Sequence, residues 1–220
     1  MAALSAVTLG EWCTQIMADL AGPETLRNLY RRLLDSASRT LAAAGIHPDW
    51  LTMASLPPAV LAGIAAAFGA FTIAAVLFAI SGILDLLDGA LARHTGRATR
   101  FGALLDSTLD RLADAAVPAG LVVFYAPHGA LAALPVLTII AGFLISYIRA
   151  RAEGLDIALP RLWMRREDRF LAMTAGLLLA PLAAPALGVP APVLLAVMAA
   201  LAGLGFVAAF QALRAAAKRS

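Results

Sequence analysis

Residues 71–125 read FTIAAVLFAISGILDLLDGALARHTGRATRFGALLDSTLDRLADAAVPAGLVVFY. An apolar run leads into Asp85 and Asp88. A basic segment carrying Arg93, Arg97 and Arg100 follows, and Asp106 and Asp110 then open a second apolar run. Each run is about 20 residues, the length at which a helix crosses a hydrocarbon core of roughly 30 Å. The stretch therefore predicts two membrane-spanning helices joined at a wet, positively charged end, with carboxylates close to that end.

Reading outward, the rest of the chain has the same character. Of its 220 residues 61% are hydrophobic and 14% charged, against roughly 45–50% and about 25% in an ordinary soluble domain. The apolar runs are too many and too long for a soluble helical bundle. The expected fold is all-α: six transmembrane helices near 50–69, 71–92, 103–125, 129–150, 169–187 and 191–212, preceded by an N-terminal amphipathic helix. Pro57 and Pro58 should bend the first span, because each lacks an N–H and crowds the preceding turn.

Charge fixes the expected orientation. The links near 69–71, 125–129 and 187–191 contain no Lys, Arg, Asp or Glu. The opposite side receives Arg27, Arg31, Arg32 and Arg39, then Arg93, Arg97 and Arg100, then Arg149, Arg151, Arg161, Arg165, Arg166 and Arg169, and finally Arg214, Lys218 and Arg219. The positive-inside rule makes that side cytoplasmic, with both termini and the acids on it, in a cytoplasmic membrane. Residues 1–22 lack a basic start, and Glu11 and Asp19 interrupt them, so they read as a weakly ordered lead-in rather than a signal peptide. Residues 23–47 carry leucines at near-helical spacing with arginines between them, suiting a helix in the cytoplasmic interface or one packed on the protein itself. Residues 48–214 form the transmembrane unit and 215–220 a basic tail. The single Cys13 allows no intramolecular disulfide, and nothing points to nucleic acid.

The acids are the chemically informative feature. Asp85 and Asp88 stand at i, i+3; Asp106 and Asp110 stand at i, i+4, with Asp114 four further on. On helices these spacings put each set on one face. If the second and third spans are antiparallel neighbours, the two pairs face each other. Four partly desolvated carboxylates repel one another, and hard divalent cations with all-oxygen ligation resolve that repulsion. Two such ions, Mg²⁺ or Mn²⁺, would suit a pyrophosphate and a displacement at phosphorus. Gly89, Ala92 and Gly102 leave room for a close approach, and Arg93 offers a guanidinium to phosphate oxygens. Pairing of the acids with nearby arginines at a wet helix end is the simpler alternative, and four interleaved acids make it the weaker one.

The pattern D-x2-D-G-x2-A-R-x8-G-x3-D-x3-D, from Asp85 to Asp110, resembles the signature of the CDP-alcohol phosphotransferases, membrane enzymes of six spans that are typically homodimers. The resemblance implies that Asp85, Asp88, Asp106 and Asp110 ligate two divalent cations, with Asp110 also the general base. It implies that Gly89, Ala92, Arg93 and Gly102 shape the CDP site together with Asp85. Pro48, Asp49 and Thr52 resemble the family's cytidine-contacting residues, although Asp49 also reads as a helix N-cap. The implied reaction transfers a substituted phosphate from a CDP-linked donor to an alcohol and releases CMP.

The acceptor is written elsewhere. Arg149, Arg166 and Arg169 could gather as an anion site, or they could serve as positive-inside anchors for anionic lipid. SYIRARAE followed by RxxDR is similar to the bacterial phosphatidylinositol-phosphate synthases, which join CDP-diacylglycerol to inositol 1-phosphate. In that branch the matching positions bind the acceptor phosphate. This chain departs from the branch on the last span, where Gln211 precedes Ala212 rather than arginine; Arg214 is the nearest, about 200° further round a helix. Glycerol 3-phosphate is thus a second candidate acceptor. An ion-binding transporter is the alternative from another class, disfavoured because the acids cluster at one depth and no inverted repeat is evident.

Overall fold

The computed structural model describes residues 24–160, 164–182 and 189–218. The expectations for residues 1–22, for Arg161, for the end of the fifth span and for the last two residues of the tail lie outside the described residues. Among the described residues regular structure is almost wholly helical: α1 Glu24–Ala43, α2 Pro48–Ala67, α3 Phe71–Thr95, α4 Arg100–Tyr125, α5 Ala133–Glu153, α6 Arg166–Leu179 and α7 Pro192–Ala217. Short 3-10 turns at Ala126–Ala132 and Ala180–Leu182 complete it. Among the described residues four stretches are long and apolar enough to cross a membrane: Pro48–Ala67, Phe71–Thr95, Arg100–Glu153 and Pro192–Ala217. The third, of 54 residues, folds back on itself, with α4 and α5 in contact. Gly129, at φ +61°, makes the turn between them, a backbone region that glycine enters freely.

The order of the bundle decides a point the sequence left conditional. α3 and α4 are sequence neighbours but touch little; α2 packs against both. The physical cause is a crossing of small residues. Gly63 of α2 and Gly120 of α4 lie backbone to backbone, and a Cβ on either would run into the other helix's main chain. Ala59, Ala62 and Ala66 are fully buried along the same helix. Small side chains let helices approach without a hydrophobic drive between them. α2 also begins earlier than expected. His47, not Asp49, is its N-cap, its Nδ1 accepting from the Asp49 N–H at 3.4 Å. Pro48 takes the first helical position, where its missing N–H costs nothing and its fixed φ suits the helix. The helix then runs unbroken through Pro57 and Pro58.

α1 packs on α3, with Ser38 buried and Leu34 and Leu41 half-buried on the same face, while Arg32 and Arg39 are exposed. α6 is anchored by Phe170. Its ring fills the space left by Gly82 of α3 and stacks on Phe78 at 4.6 Å between centroids. That contact sets the first turn of α6 over the acidic end of α3.

Candidate metal centre and acceptor cleft

The α3–α4 connection places the acids. α3 ends at Gly96, left-handed at φ 63°, whose N–H returns to the Ala92 carbonyl. Thr99 caps α4, its Oγ1 accepting from the Gly102 N–H at 2.9 Å. The two helices thus leave residues 96–99 with the acids of each about three turns or less from the connection. Asp85, Asp88 and Asp106 each bring a carboxylate oxygen within 4.8 Å of the others. Asp88 is 4% exposed, and its Oδ2 is buried with no hydrogen-bond partner. A buried, unpartnered carboxylate oxygen in a three-aspartate group fits a hard divalent cation, since leaving it unpaired is costly. Asp110 stands outside this trio, ion-paired to Arg166.

The second sequence motif meets the first. Thr52 lies beside Asp88. A Cβ on Gly102 would come within 3.2 Å of Asp49 Oδ1 and 3.0 Å of Thr99 Oγ1, so only a glycine fits there without displacing them. Pro48 is buried and Ala92 half-buried. Arg93 is exposed and its guanidinium folds back over Gly89.

The arginines come from the other side. The α6 first turn is fixed by the Arg165 N–H, which donates to Asp168 Oδ2 at 2.9 Å. Arg166 then reaches three acids: Nη1 to Asp85 Oδ2 at 2.6 Å, Nη2 to Asp110 Oδ1 at 2.9 Å and Nε to Asp114 Oδ1 at 3.4 Å. Arg169 donates from Nη2 to Asp114 Oδ2 at 2.8 Å and from Nη1 to the Met164 carbonyl at 3.2 Å. Its side chain is 12% exposed and passes Gly142 of α5. Arg149, exposed on α5, joins Arg166, Arg169, Asp110 and Asp114 around a cleft of about 260 Å³. All three arginines expected at an acceptor site therefore line one cleft, and it opens onto Asp110. Two features went unassigned by the sequence. Asp114 holds both α6 arginines, a role hinted at only by its place one turn after Asp110. Arg166 also contacts Asp85 of the metal group directly. Ala212 is fully buried, and Arg214 stacks on Phe210 with its guanidinium carbon 4.2 Å from the ring centre.

A helical bundle with apolar spans, a three-aspartate group suited to a divalent cation and a basic cleft beside it define a membrane enzyme of phosphoryl chemistry. Residues 45–213 match the CDP-alcohol phosphatidyltransferase profile, and the chain belongs to that family. It is 36% identical over 152 residues to the archaetidylinositol phosphate synthase of Methanothermobacter thermautotrophicus, covering 68% of this chain and 74% of that protein. It is 36% identical over 159 residues to the phosphatidylinositol phosphate synthase of Streptomyces avermitilis, covering 68% of this chain and 64% of that one. Its fold is similar to the Mycobacterium tuberculosis phosphatidylinositol phosphate synthase crystallised with CDP-DAG bound. That likeness has a TM-score of 0.75 and 28% identity, over 84% of this chain and 94% of the other. A second structure of that enzyme, with manganese and citrate, gives a TM-score of 0.74 at 28% identity over 83% and 88%.

Proposed function

We propose that this protein transfers the phosphatidyl group of CDP-diacylglycerol to inositol 1-phosphate and releases CMP, at the cytoplasmic face of the inner membrane. The observation that carries the reading is the cleft of Arg149, Arg166 and Arg169 opening onto Asp110, beside the group of Asp85, Asp88 and Asp106. The relatives support the acceptor over glycerol 3-phosphate. Their names differ in the lipid half, archaetidyl or phosphatidyl, and share inositol phosphate.

Asp85, Asp88, Asp106 and Asp110 would hold two divalent cations, Mg²⁺ or Mn²⁺, which when bound neutralise the pyrophosphate and the departing CMP. Asp49, Thr52, Gly89, Ala92, Arg93 and Gly102 surround the nucleotide half of the donor. Arg149, Arg166 and Arg169 clamp the acceptor phosphate, as planar guanidinium forks suit phosphate oxygens. Asp110 takes the proton of the acceptor hydroxyl as its oxygen attacks the β-phosphorus. The new P–O bond forms while the bond to the CMP oxygen breaks.

Six spans fit this reading. Arg100–Glu153 supplies two of them, α6 with the turn Ala180–Leu182 a fifth, and α7 the last; both termini then lie in the cytoplasm. The helix α1 lies in the cytoplasmic interface, and the chain works as a homodimer, as the family resemblance implies. The test is a panel of inositol 1-phosphate, free inositol, glycerol 3-phosphate and serine, each offered with CDP-diacylglycerol and the products identified by mass. The reading expects product with inositol 1-phosphate. Turnover with glycerol 3-phosphate alone would reassign the acceptor, and turnover with only an unphosphorylated alcohol would remove the phosphate clamp.

A further inference from the structure

Asp114 is a carboxylate that neither the proposed metal group nor the proposed proton transfer uses. It sits on α4 one turn beyond Asp110, half-buried, and both of its oxygens are engaged by α6: Oδ1 by Arg166 Nε at 3.4 Å and Oδ2 by Arg169 Nη2 at 2.8 Å. The two arginines are i, i+3 on the first turn of α6, so like charges stand together where mutual repulsion would spread them. One carboxylate between them removes that repulsion and fixes both side chains in one geometry. Neither arginine is held by Asp114 alone. Arg166 engages Asp114 through Nε alone, keeping Nη1 and Nη2 toward Asp85 and Asp110. Arg169 spends Nη2 on Asp114 and Nη1 on the Met164 carbonyl, which locks its long side chain against Gly142.

We propose that Asp114 is a positioning residue for the acceptor. It aims the Arg166 and Arg169 pair from α4, the helix that also carries Asp110, so that the phosphate clamp and the attacking hydroxyl's base share one rigid frame. The inference rests on the reading of these arginines as a phosphate clamp. It assigns Asp114 no contact with metal, donor or acceptor.

The test is Asp114→Asn in the full-length protein in detergent, with Asp114→Glu as the conservative partner. Asn keeps the shape and removes the charge. The KM for inositol 1-phosphate should rise about 10- to 100-fold, the scale of one or two charge-assisted hydrogen bonds. The KM for CDP-diacylglycerol and the affinity for Mn²⁺, read by calorimetry without turnover, should stay within about twofold. Asp114→Glu should recover most of the acceptor KM. An unchanged acceptor KM in Asp114→Asn, or an equal rise in both KM values, would overturn the proposal. So would loss of Mn²⁺ binding, which would make Asp114 part of the metal site. If Asp114→Asn does not fold, Asp114→Glu decides alone: a residual rise confined to the acceptor KM, smaller than that expected of Asn, supports the proposal, and an unchanged acceptor KM or a shift in donor KM or Mn²⁺ affinity sinks it. Failure of the acceptor reading is seen separately, in the wild-type enzyme, as absence of product from inositol 1-phosphate.

Discussion

The carboxylates and the arginines meet where Arg166 reaches Asp85 and Asp110, but they are held by different kinds of structure. Asp85, Asp88, Asp106 and Asp110 ride on two helices joined by residues 96–99, and their spacing along the chain already decides which way they point. Arg149, Arg166 and Arg169 come from α5 and α6, and their place depends on how whole helices dock. Arg166 meets Asp85 across 81 residues of chain and Asp114 across 52. One half of the site is thus set by local geometry and the other by packing. Substitutions should separate the two halves by both the size and the kind of their effect.

The largest effect should come from Asp88, the acid whose Oδ2 is buried without a partner. Asp88→Asn removes a charged ligand from the proposed cation site. Activity should fall by about 10³-fold or more, since a bound metal supplies several kcal/mol of transition-state stabilisation. Mn²⁺ binding, followed by calorimetry, should weaken in parallel, and EDTA should abolish turnover of the wild type. A variant that kept both activity and Mn²⁺ affinity would break the assignment of the metal to this half. Next in size is Asp110→Asn. As a general base it is expected to be worth roughly 10²- to 10⁴-fold in kcat. CDP-diacylglycerol binding should suffer much less. Near-normal kcat in this variant would move the proton to another acceptor.

This contrast also accounts for how much of the molecule is legible in its sequence. Period and hydropathy gave the apolar helices, with starts within a few residues of those observed at Pro48, Phe71, Arg100 and Pro192. They put Asp85 and Asp88 on one face of their helix, because i, i+3 spacing on a helix is a local fact. They did not give the order of packing. Whether α3 and α4 lie side by side stayed a condition in the sequence; the Gly63–Gly120 approach instead packs α2 against both. A glycine in an apolar run signals a close approach without naming its partner. The cap at His47 was missed for a simpler reason: Asp49 is the stronger capping residue type, but Pro48 before it marks the true first turn. The role of Asp114 was invisible because its partners are supplied by a helix more than 50 positions away.

That crossing offers a way to perturb both halves at once. Gly120→Ala would push a methyl group into the Gly63 carbonyl, with main chain on both sides and no flexible side chain to yield. Overpacking of this kind costs about 1–3 kcal/mol. It should appear as a lower unfolding temperature in detergent, accompanied by loss of both donor and acceptor affinity, because α4 carries Asp106, Asp110 and Asp114 together. A stable protein with only the acceptor KM changed would show that the acid half does not depend on this contact.

The smallest effect should belong to Arg149, and it bears most directly on the division between the halves. Arg149 is exposed at the rim of the cleft and makes none of the ion pairs that tie Arg166 and Arg169 to α4. An exposed charge acting on a phosphate across water gains at most about 1 kcal/mol, which is roughly fivefold in affinity. Arg149→Gln should therefore raise the KM for inositol 1-phosphate by about two- to fivefold. The donor KM and Mn²⁺ affinity should not move, and the effect should shrink as salt is raised, because screening reaches an exposed charge first. Arg166→Gln should behave differently on every count. It removes a partner from Asp85 and Asp110 as well as from the acceptor, so its loss should be larger, less salt-sensitive and felt in kcat. If the two variants gave the same salt-dependent rise in acceptor KM alone, Arg166 would belong to the rim with Arg149, and its contacts with the metal-side acids would contribute nothing to turnover.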